Sequence, residues 1–403
     1  MPFNRPVNLT DLSPRLPEIF AATPGKANVI HLNNAGSSLM PQSVLDAQLD
    51  HLKLEAMIGG YEAARQKADD IERVYDSLAR LINCQRDEIA VVENATVGWA
   101  MAFYAIPFQP GDRILTAEAE YASNYLAYLQ MARQKGVSVE VIPSNEAGEL
   151  CLHSLRNMID KSVRLISITH VPTNSGLVNP VEQIGEIARA HNILYLVDAC
   201  QSAGQMPLDV EKINCDLLSA TARKYLRGPR GIGFLYVRSA VLDQLHPPMI
   251  DLFSASWTSQ NEYVLRPDAR RFENWENNYA AKLGLGACVD YALDIGLDAI
   301  QARIDELAGY LRANLKEING IRLHSRCPRQ CGIVSFAIEG RDSGEMVREI
   351  VDRGVNVSSS SPSSTLIDAT RNNLPVLIRA SVHYYNDLKE INRLLEIVSD
   401  LSG

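Results

Sequence analysis

The chain has 403 residues, too many for a typical single domain, and its 46% hydrophobic and 22% charged content is the ordinary globular balance, which excludes a disordered chain, a collagen-like fibre and a coiled coil. A net charge of -9 argues against a nucleic-acid-binding face and against attachment to an anionic membrane surface. Seven cysteines, at 84, 151, 200, 215, 288, 327 and 331, are too scattered for a disulfide scaffold; no second pair joins Cys327 and Cys331 to make a zinc site, and they read as reduced thiols of a cytoplasmic protein.

Residues 1–30 are punctuated by prolines and read as an arm laid over a domain, without the apolar run of a signal peptide. No window holds the roughly 18 uninterrupted apolar residues of a membrane span. Residues 41–83 read as helical with a break at Gly59-Gly60, and Ile71, Val74, Leu78 and Ile82 fall on one helical face. Short β-rich runs follow at 89–92, 113–116, 137–142, 163–169 and 193–197, with helical stretches such as 97–106, 122–135 and 180–191 between them. A further strand is expected at 232–237, after the turn RGPRG. Alternation of apolar strands with helices predicts an α/β fold, a mainly parallel sheet sandwiched by helices.

Past residue 265 the texture changes. A helical region at 279–318 precedes a strand at 332–338, a helix at 343–353, a strand at 376–382 and a helix at 387–401, an α+β unit. The chain therefore divides into an arm (1–30), a large domain (31–265) and a small C-terminal domain (266–403). The patch Ser358–Ser364 reads as a mobile loop, since serine and proline neither pack nor propagate structure.

Ligands of an open parallel sheet sit at the carboxyl ends of its strands. After ILYLV comes Asp198, with Gln201 three residues on; the carboxylate is either a helix cap or buried ion pair, or the counter-ion of a protonated ring nitrogen. After CDLLSA come Thr221, Arg223 and Lys224, then a Gly-rich turn. Lys224 is either a solvated surface lysine or a Schiff-base nucleophile, and Thr221 and Arg223 offer a hydroxyl and a cation to a phosphate. Ala95 and Thr96 open a helix whose N–H groups suit an anion. Tyr121 stands where it either packs inside or stacks on a ring, and His170 to Gly176 form another polar turn.

Taken in order, Asp-Ala-x-Gln at 198–201, Thr-x-x-Lys at 221–224 and Ile-Arg-Ala-Ser at 378–381 resemble the class V aminotransferase and cysteine desulfurase superfamily of fold-type I pyridoxal 5'-phosphate (PLP) enzymes. The likeness runs from LNNAG at 32–36 to IRASVHYYN at 378–386. It implies PLP as cofactor, linked to Lys224, which also moves the proton. It implies that Asp198 pairs with the ring nitrogen, that Gln201 donates to the ring oxygen and that Ala95, Thr96 and Thr221 hold the phosphate. Tyr121 takes the stacking position, where desulfurases usually carry histidine. Thr173 or Asn174 matches the asparagine near the ring oxygen, and Arg379, with Asn34, serves the substrate, the arginine gripping the α-carboxylate. A two-fold homodimer follows from the same resemblance.

Three departures matter. Arg223 stands where desulfurases have histidine. Phe272-Glu-Asn-Trp-Glu276 lacks the threonine that reaches the neighbouring subunit's phosphate, with Thr258 as a substitute. The C-terminal loop GVNVSSSSPSSTLID contains no cysteine, although a persulfide-forming desulfurase needs that thiolate. The sequence is thus similar to the C–S lyase, hercynylcysteine sulfoxide lyase and isopenicillin epimerase-like branch. The expected activity is β-elimination from cysteine or an S-conjugate without a persulfide cysteine, with aminotransferase or epimerase as the alternative.

Overall fold

The apolar runs between residues 89 and 237 become strands, most of them buried on both faces, with the edge strand at 138–142 partly exposed. The computed structural model describes residues 12–324 and 327–403. In it, Ile89–Val92 (β1), Arg113–Ala117 (β2), Ser138–Ile142 (β3), Val163–Thr169 (β4), Leu194–Asp198 (β5), Leu217–Thr221 (β6) and Gly233–Val237 (β7) form one seven-stranded sheet of order β1-β7-β6-β5-β4-β2-β3. The five strands from β6 to β3 run parallel, and β7 is antiparallel to both of its neighbours. Parallel neighbours need crossovers, so the helices expected between them cover both faces.

The N-terminal helices are Gln42–Ile58 (α1), Gly60–Gln66 (α2) and Ala68–Ile82 (α3). Gly59, at φ 97°, makes the break that a residue with a Cβ would resist. Ile71, Val74, Leu78 and Ile82 are buried as their spacing requires. Ala95–Tyr104 (α4), Ala122–Lys135 (α5) and Val181–Ala190 (α6) follow β1, β2 and β4. A hairpin, Ala255–Ser259 (β8) with Glu262–Leu265 (β9), stands apart from both larger sheets.

The C-terminal part holds a second sheet. Ile321–Leu323 (β10), Ile333–Ile338 (β11), Ser358–Ser360 (β12) and Leu377–Ser381 (β13) pair antiparallel in the order β10-β11-β13-β12. Its helices are Ser343–Asp352 (α9) and Leu388–Ser402 (α10), after Tyr279–Ile295 (α7) and Leu297–Leu315 (α8). Helix α7 packs chiefly on α1 and α3. A boundary at residue 266, drawn from the change of texture, therefore falls ahead of a helix that the large unit holds.

The serine patch is ordered differently from its composition. Ser358–Ser360 is an edge strand on β13, and Ser361 caps a short helical turn, Pro362–Thr365, that leads into a helix, Leu366–Arg371. Backbone pairing to β13 supplies what the side chains lack, so the loop expectation is corrected here. Only the part of the arm from residue 12 onward lies in the described region. Leu12 and Ile19 are buried in the core, and Ile30–His31 pairs with Val355–Asn356.

Arg227 ties these parts together. It is fully buried and left-handed, at φ 60°. It donates to Leu39 O at 2.8 Å, to the Tyr384 hydroxyl at 2.8 Å and to Thr23 Oγ1 at 2.6 Å, with its guanidinium 4.3 Å from the Tyr385 ring centroid. Arg227→Met should lower unfolding stability by about 3 kcal/mol or more, because three buried acceptors lose a charged donor. Chemical denaturation of the two proteins measures this.

Candidate active site

The carboxyl ends of β1, β2, β4, β5 and β6 bring most of the candidate residues to one side of the sheet. Asp198 closes β5 and is buried; its Oδ1 accepts from Cys200 N at 2.9 Å and its Oδ2 from Asn124 Nδ2 at 3.0 Å. Neither partner is a cation, and among the described residues no ion pair meets this buried carboxylate, which Lys224 feels only at longer range. Lys224 follows β6. Burial pulls its amine below the usual lysine range; the cations of Arg223 and Arg379 act in the same direction, while Cys200 and Asp198 oppose it.

The opposite wall comes from the small sheet. Arg379 lies on β13, 8% exposed, and donates through Nη1 to Thr173 Oγ1 at 2.7 Å and Thr173 O at 3.2 Å. Its Nε is buried without a partner. Gln201 Nε2 reaches Ala35 O at 3.1 Å and Thr173 Oγ1 at 3.5 Å, leaving Oε1 unpartnered. Thr173 therefore sits between Gln201 and Arg379. Asn174 turns away, donating to Ser361 O at 3.1 Å and Thr365 Oγ1 at 2.9 Å. Of the two residues left open by register, Thr173 is the one in the site's frame.

At the other edge, Ala95 and Thr96 begin α4, with Asn94 as the cap. Gly233 lies alongside: a Cβ there would stand 3.1 Å from Ala95 N and 2.5 Å from Ala220 O. Thr221 ends β6 next to this close approach, since Ser219, two residues earlier, donates to Ala95 O at 2.9 Å. Tyr121 caps α5 and is partly exposed.

Two expectations are redirected. Arg223 donates to Gly36 O and lies within electrostatic reach of Arg379, so its contacts favour the side of Arg379 over a shared phosphate site with Thr221. Asn34 is used up in joining elements. Its Nδ2 donates to Ser381 O at 2.7 Å and its Oδ1 accepts from the Tyr385 hydroxyl, so a direct contact with substrate is not its place. Its neighbours Ala35 and Gly36 meet the site through their carbonyls instead. Thr258 is on the separate hairpin, bonded to Glu262 O, away from the site within this chain.

Sequence reasoning missed Asn124, the partner of Asp198, and Glu120, which the same amide serves. The available signal was their spacing of four residues across the start of α5, which places them side by side. Among the described residues no cluster of three or more histidines, cysteines or acids is placed to hold a metal, and no helix is long and apolar enough to cross a membrane.

A family model described as aminotransferase class-V matches residues 30–394. The chain belongs to the class V aminotransferase family. This is a family of fold-type I enzymes that use pyridoxal 5'-phosphate. A probable cysteine desulfurase of Methanothermobacter thermautotrophicus is 30% identical over 381 residues, covering 93% of this chain and 95% of its own. A cysteine desulfurase of Serratia proteamaculans is 30% identical, over 91% of each chain. The apo structure of cysteine desulfurase from Thermococcus onnurineus NA1 matches with a TM-score of 0.88 and 26% identity, over 99% of both chains. The cystine C–S lyase C-DES matches at a TM-score of 0.85 and 24% identity, over 94% and 99%, which speaks to fold alone.

The residues fit such a cofactor. The unpartnered Gln201 Oε1 and Arg379 Nε, the buried Asp198 carboxylate and the helix N-terminus at Ala95 and Thr96 are the features that a ring, a carboxylate and a phosphate would complete.

The seven cysteines are all free thiols. Burial raises Cys84, Cys200, Cys215 and Cys288, and pushes Cys327 and Cys331 up to about 11. Cys151 alone is lowered, by hydrogen bonding to Ser154. A disulfide reagent at pH 8 should therefore label one thiol quickly in the native protein and all seven after denaturation. Cys151→Ala should remove the fast phase; a fast phase that survives it would refute this ranking.

Proposed function

We propose that this chain is a pyridoxal phosphate-dependent carbon–sulfur lyase that acts on cysteine or an S-conjugate of cysteine, without relaying sulfur through a protein thiol. The observation that carries the reading is the segment beside Arg379. Ser358–Ser360 pairs with the strand that holds the arginine, Ser361 and Thr365 are bonded by Asn174, and residues 354–368 contain no cysteine. The thiols nearest in sequence, Cys327 and Cys331, are buried and held in the thiol form.

Bound pyridoxal phosphate supplies an electron sink for the pair released at Cα. Asp198 holds a proton at the ring nitrogen. Ala95, Thr96 and Thr221 receive the phosphate, through helix N–H groups and a hydroxyl. Gln201 Nε2 turns from Ala35 O toward the ring oxygen, and Tyr121 covers a ring face. Arg379, steadied by Thr173, binds the substrate α-carboxylate through its free edge. Arg223 adds positive charge on that side.

Lys224 carries the cofactor and takes the Cα proton. A buried amine with a lowered proton affinity is neutral for a larger fraction of the time, which suits it as a base. Loss of that proton and of the Cβ–S bond leaves a thiol, or sulfide from cysteine itself, and aminoacrylate. Uptake of water then yields pyruvate and ammonia.

The experiment is a screen of cysteine and its S-conjugates, scored for pyruvate, ammonia and sulfur product. Turnover should disappear in Lys224→Ala, fall sharply in Arg379→Ala and survive alanine at each of the seven cysteines. One cysteine variant that abolishes turnover while folding and binding cofactor would favour a persulfide-forming desulfurase. Keto acid formed only when an amino acceptor is present would favour an aminotransferase.

The assembly belongs to the same reading. Met57 and Trp257 are 83% and 82% exposed, and Tyr61, Leu252, Tyr263 and Val264 also lie open on α1, α2 and the hairpin region. Large apolar side chains left this exposed support surfaces covered by a second copy in a two-fold homodimer. Sedimentation should give twice the chain mass, and Trp257→Glu combined with Met57→Glu should shift it toward the monomer. A monomeric wild type with full activity rejects the dimer.

A further inference from the structure

The roles above leave unused a buried carboxylate that shares a hydrogen-bond donor with Asp198. Glu120 lies just beyond β2, 3% exposed. It accepts from Thr116 Oγ1 at 3.1 Å, Tyr121 N at 3.0 Å, Asn124 Nδ2 at 2.8 Å, Thr169 N at 3.0 Å and the Thr169 hydroxyl. An ionised carboxylate only accepts, so five donors suit the anion; of these, only the Thr116 and Thr169 hydroxyls could turn to accept from a protonated form. No cation pairs with it in any of these contacts.

The nitrogen of Asn124 that serves Glu120 also lies 3.0 Å from Asp198 Oδ2. Two buried acids from different strand ends are thus joined by one amide group. The ionisable groups facing Glu120 are Asp198 from β5 and the Tyr128 phenol from α5. Strands β2 and β4 present the Thr116 hydroxyl and the Thr169 amide and hydroxyl to it, and Glu118 turns to Arg371 instead. Burial, with a smaller push from Asp198, raises Glu120 to about 7, against its hydrogen bonds.

We propose that Glu120 is a positioning residue: through Asn124 it fixes the Asp198 carboxylate against the cofactor's ring nitrogen, and its own negative charge helps keep that nitrogen protonated. The proposal rests on the reading of Asp198 as the ring's partner. A protonated ring attracts both carboxylates, so binding favours ionised Glu120. Below its titration the acid must give up a proton as cofactor binds, and affinity falls. Above it, affinity is full.

The test is pyridoxal phosphate binding to apoprotein, followed by tryptophan fluorescence at pH 6 and pH 8, with thermal melting to report folding. Wild type should bind more weakly at pH 6, by about tenfold from this group, one unit below its midpoint. Glu120→Gln should bind about tenfold more weakly at pH 8, the scale of a lost hydrogen bond to a charge, and lose that part of the pH dependence. Asn124→Ala should weaken binding to a similar degree, and the double variant should lose less than the two single losses added, because the positioning part of both passes through one contact. Wild-type affinity and pH dependence in a folded Glu120→Gln or Asn124→Ala protein would overturn the proposal, as would losses that add in the double variant. If Glu120→Gln does not fold, Asn124→Ser carries the test alone. A wild type that binds no pyridoxal phosphate at Lys224 would instead reject the functional reading beneath it.

Discussion

The placement of Lys224 depends on a guanidinium three residues further along. Arg227 is a buried cation with no ion-pair partner among the described residues; its donors go to a carbonyl and two hydroxyls, and its face lies against Tyr385. Such a charge is tolerated because delocalised positive charge is weakly hydrated and is attracted by aromatic faces. Each acceptor comes from a different part of the chain: Thr23 from the arm, Leu39 from the entry to α1, and Tyr384 from the end of the small sheet. The left-handed backbone at Arg227 costs about 1 kcal/mol, which the contacts offset. The turn that follows the lysine is therefore held by three segments at once.

That clamp explains why the site has two chemically different walls. The end of the large sheet is acidic, with Asp198 and Glu120 under a shared amide. The side contributed by Arg223 and Arg379 is basic, one from the lysine turn and one from the small sheet. Lys224 stands between them and is pulled by both. A group with a positive ring nitrogen fits the first wall and a carboxylate fits the second. Low local dielectric strengthens each attraction, so burial serves binding as much as stability. Thr173 and Gln201 connect the walls through hydrogen bonds, which keeps their separation set by the fold rather than by ligand.

The strand ends carrying Asp198 and Lys224 were legible from the sequence, because a polar residue directly after an apolar run has one place to go. Arg379 was legible from the motif Ile-Arg-Ala-Ser, although its partner Thr173 lies 206 positions away. The serine patch misled for a physical reason. Its side chains carry no strand signal, and only the free edge of β13 makes a strand of it. Asn34 misled in the opposite way: its position by the site is right, but Ser381 and Tyr385 occupy its amide.

Sequence alone determined the alternation of buried strands and helices, the order of chemical groups at the strand ends, and the lack of a cysteine in residues 354–368. These are local properties, set by side-chain period and residue type. Tertiary structure alone decided which candidates meet. It put Thr173 rather than Asn174 beside Gln201 and Arg379, turned Arg223 to Gly36, and hung Asp198 and Glu120 on Asn124. Those choices depend on contacts between segments far apart in the chain, and on burial that changes the charge state of a group without changing its identity.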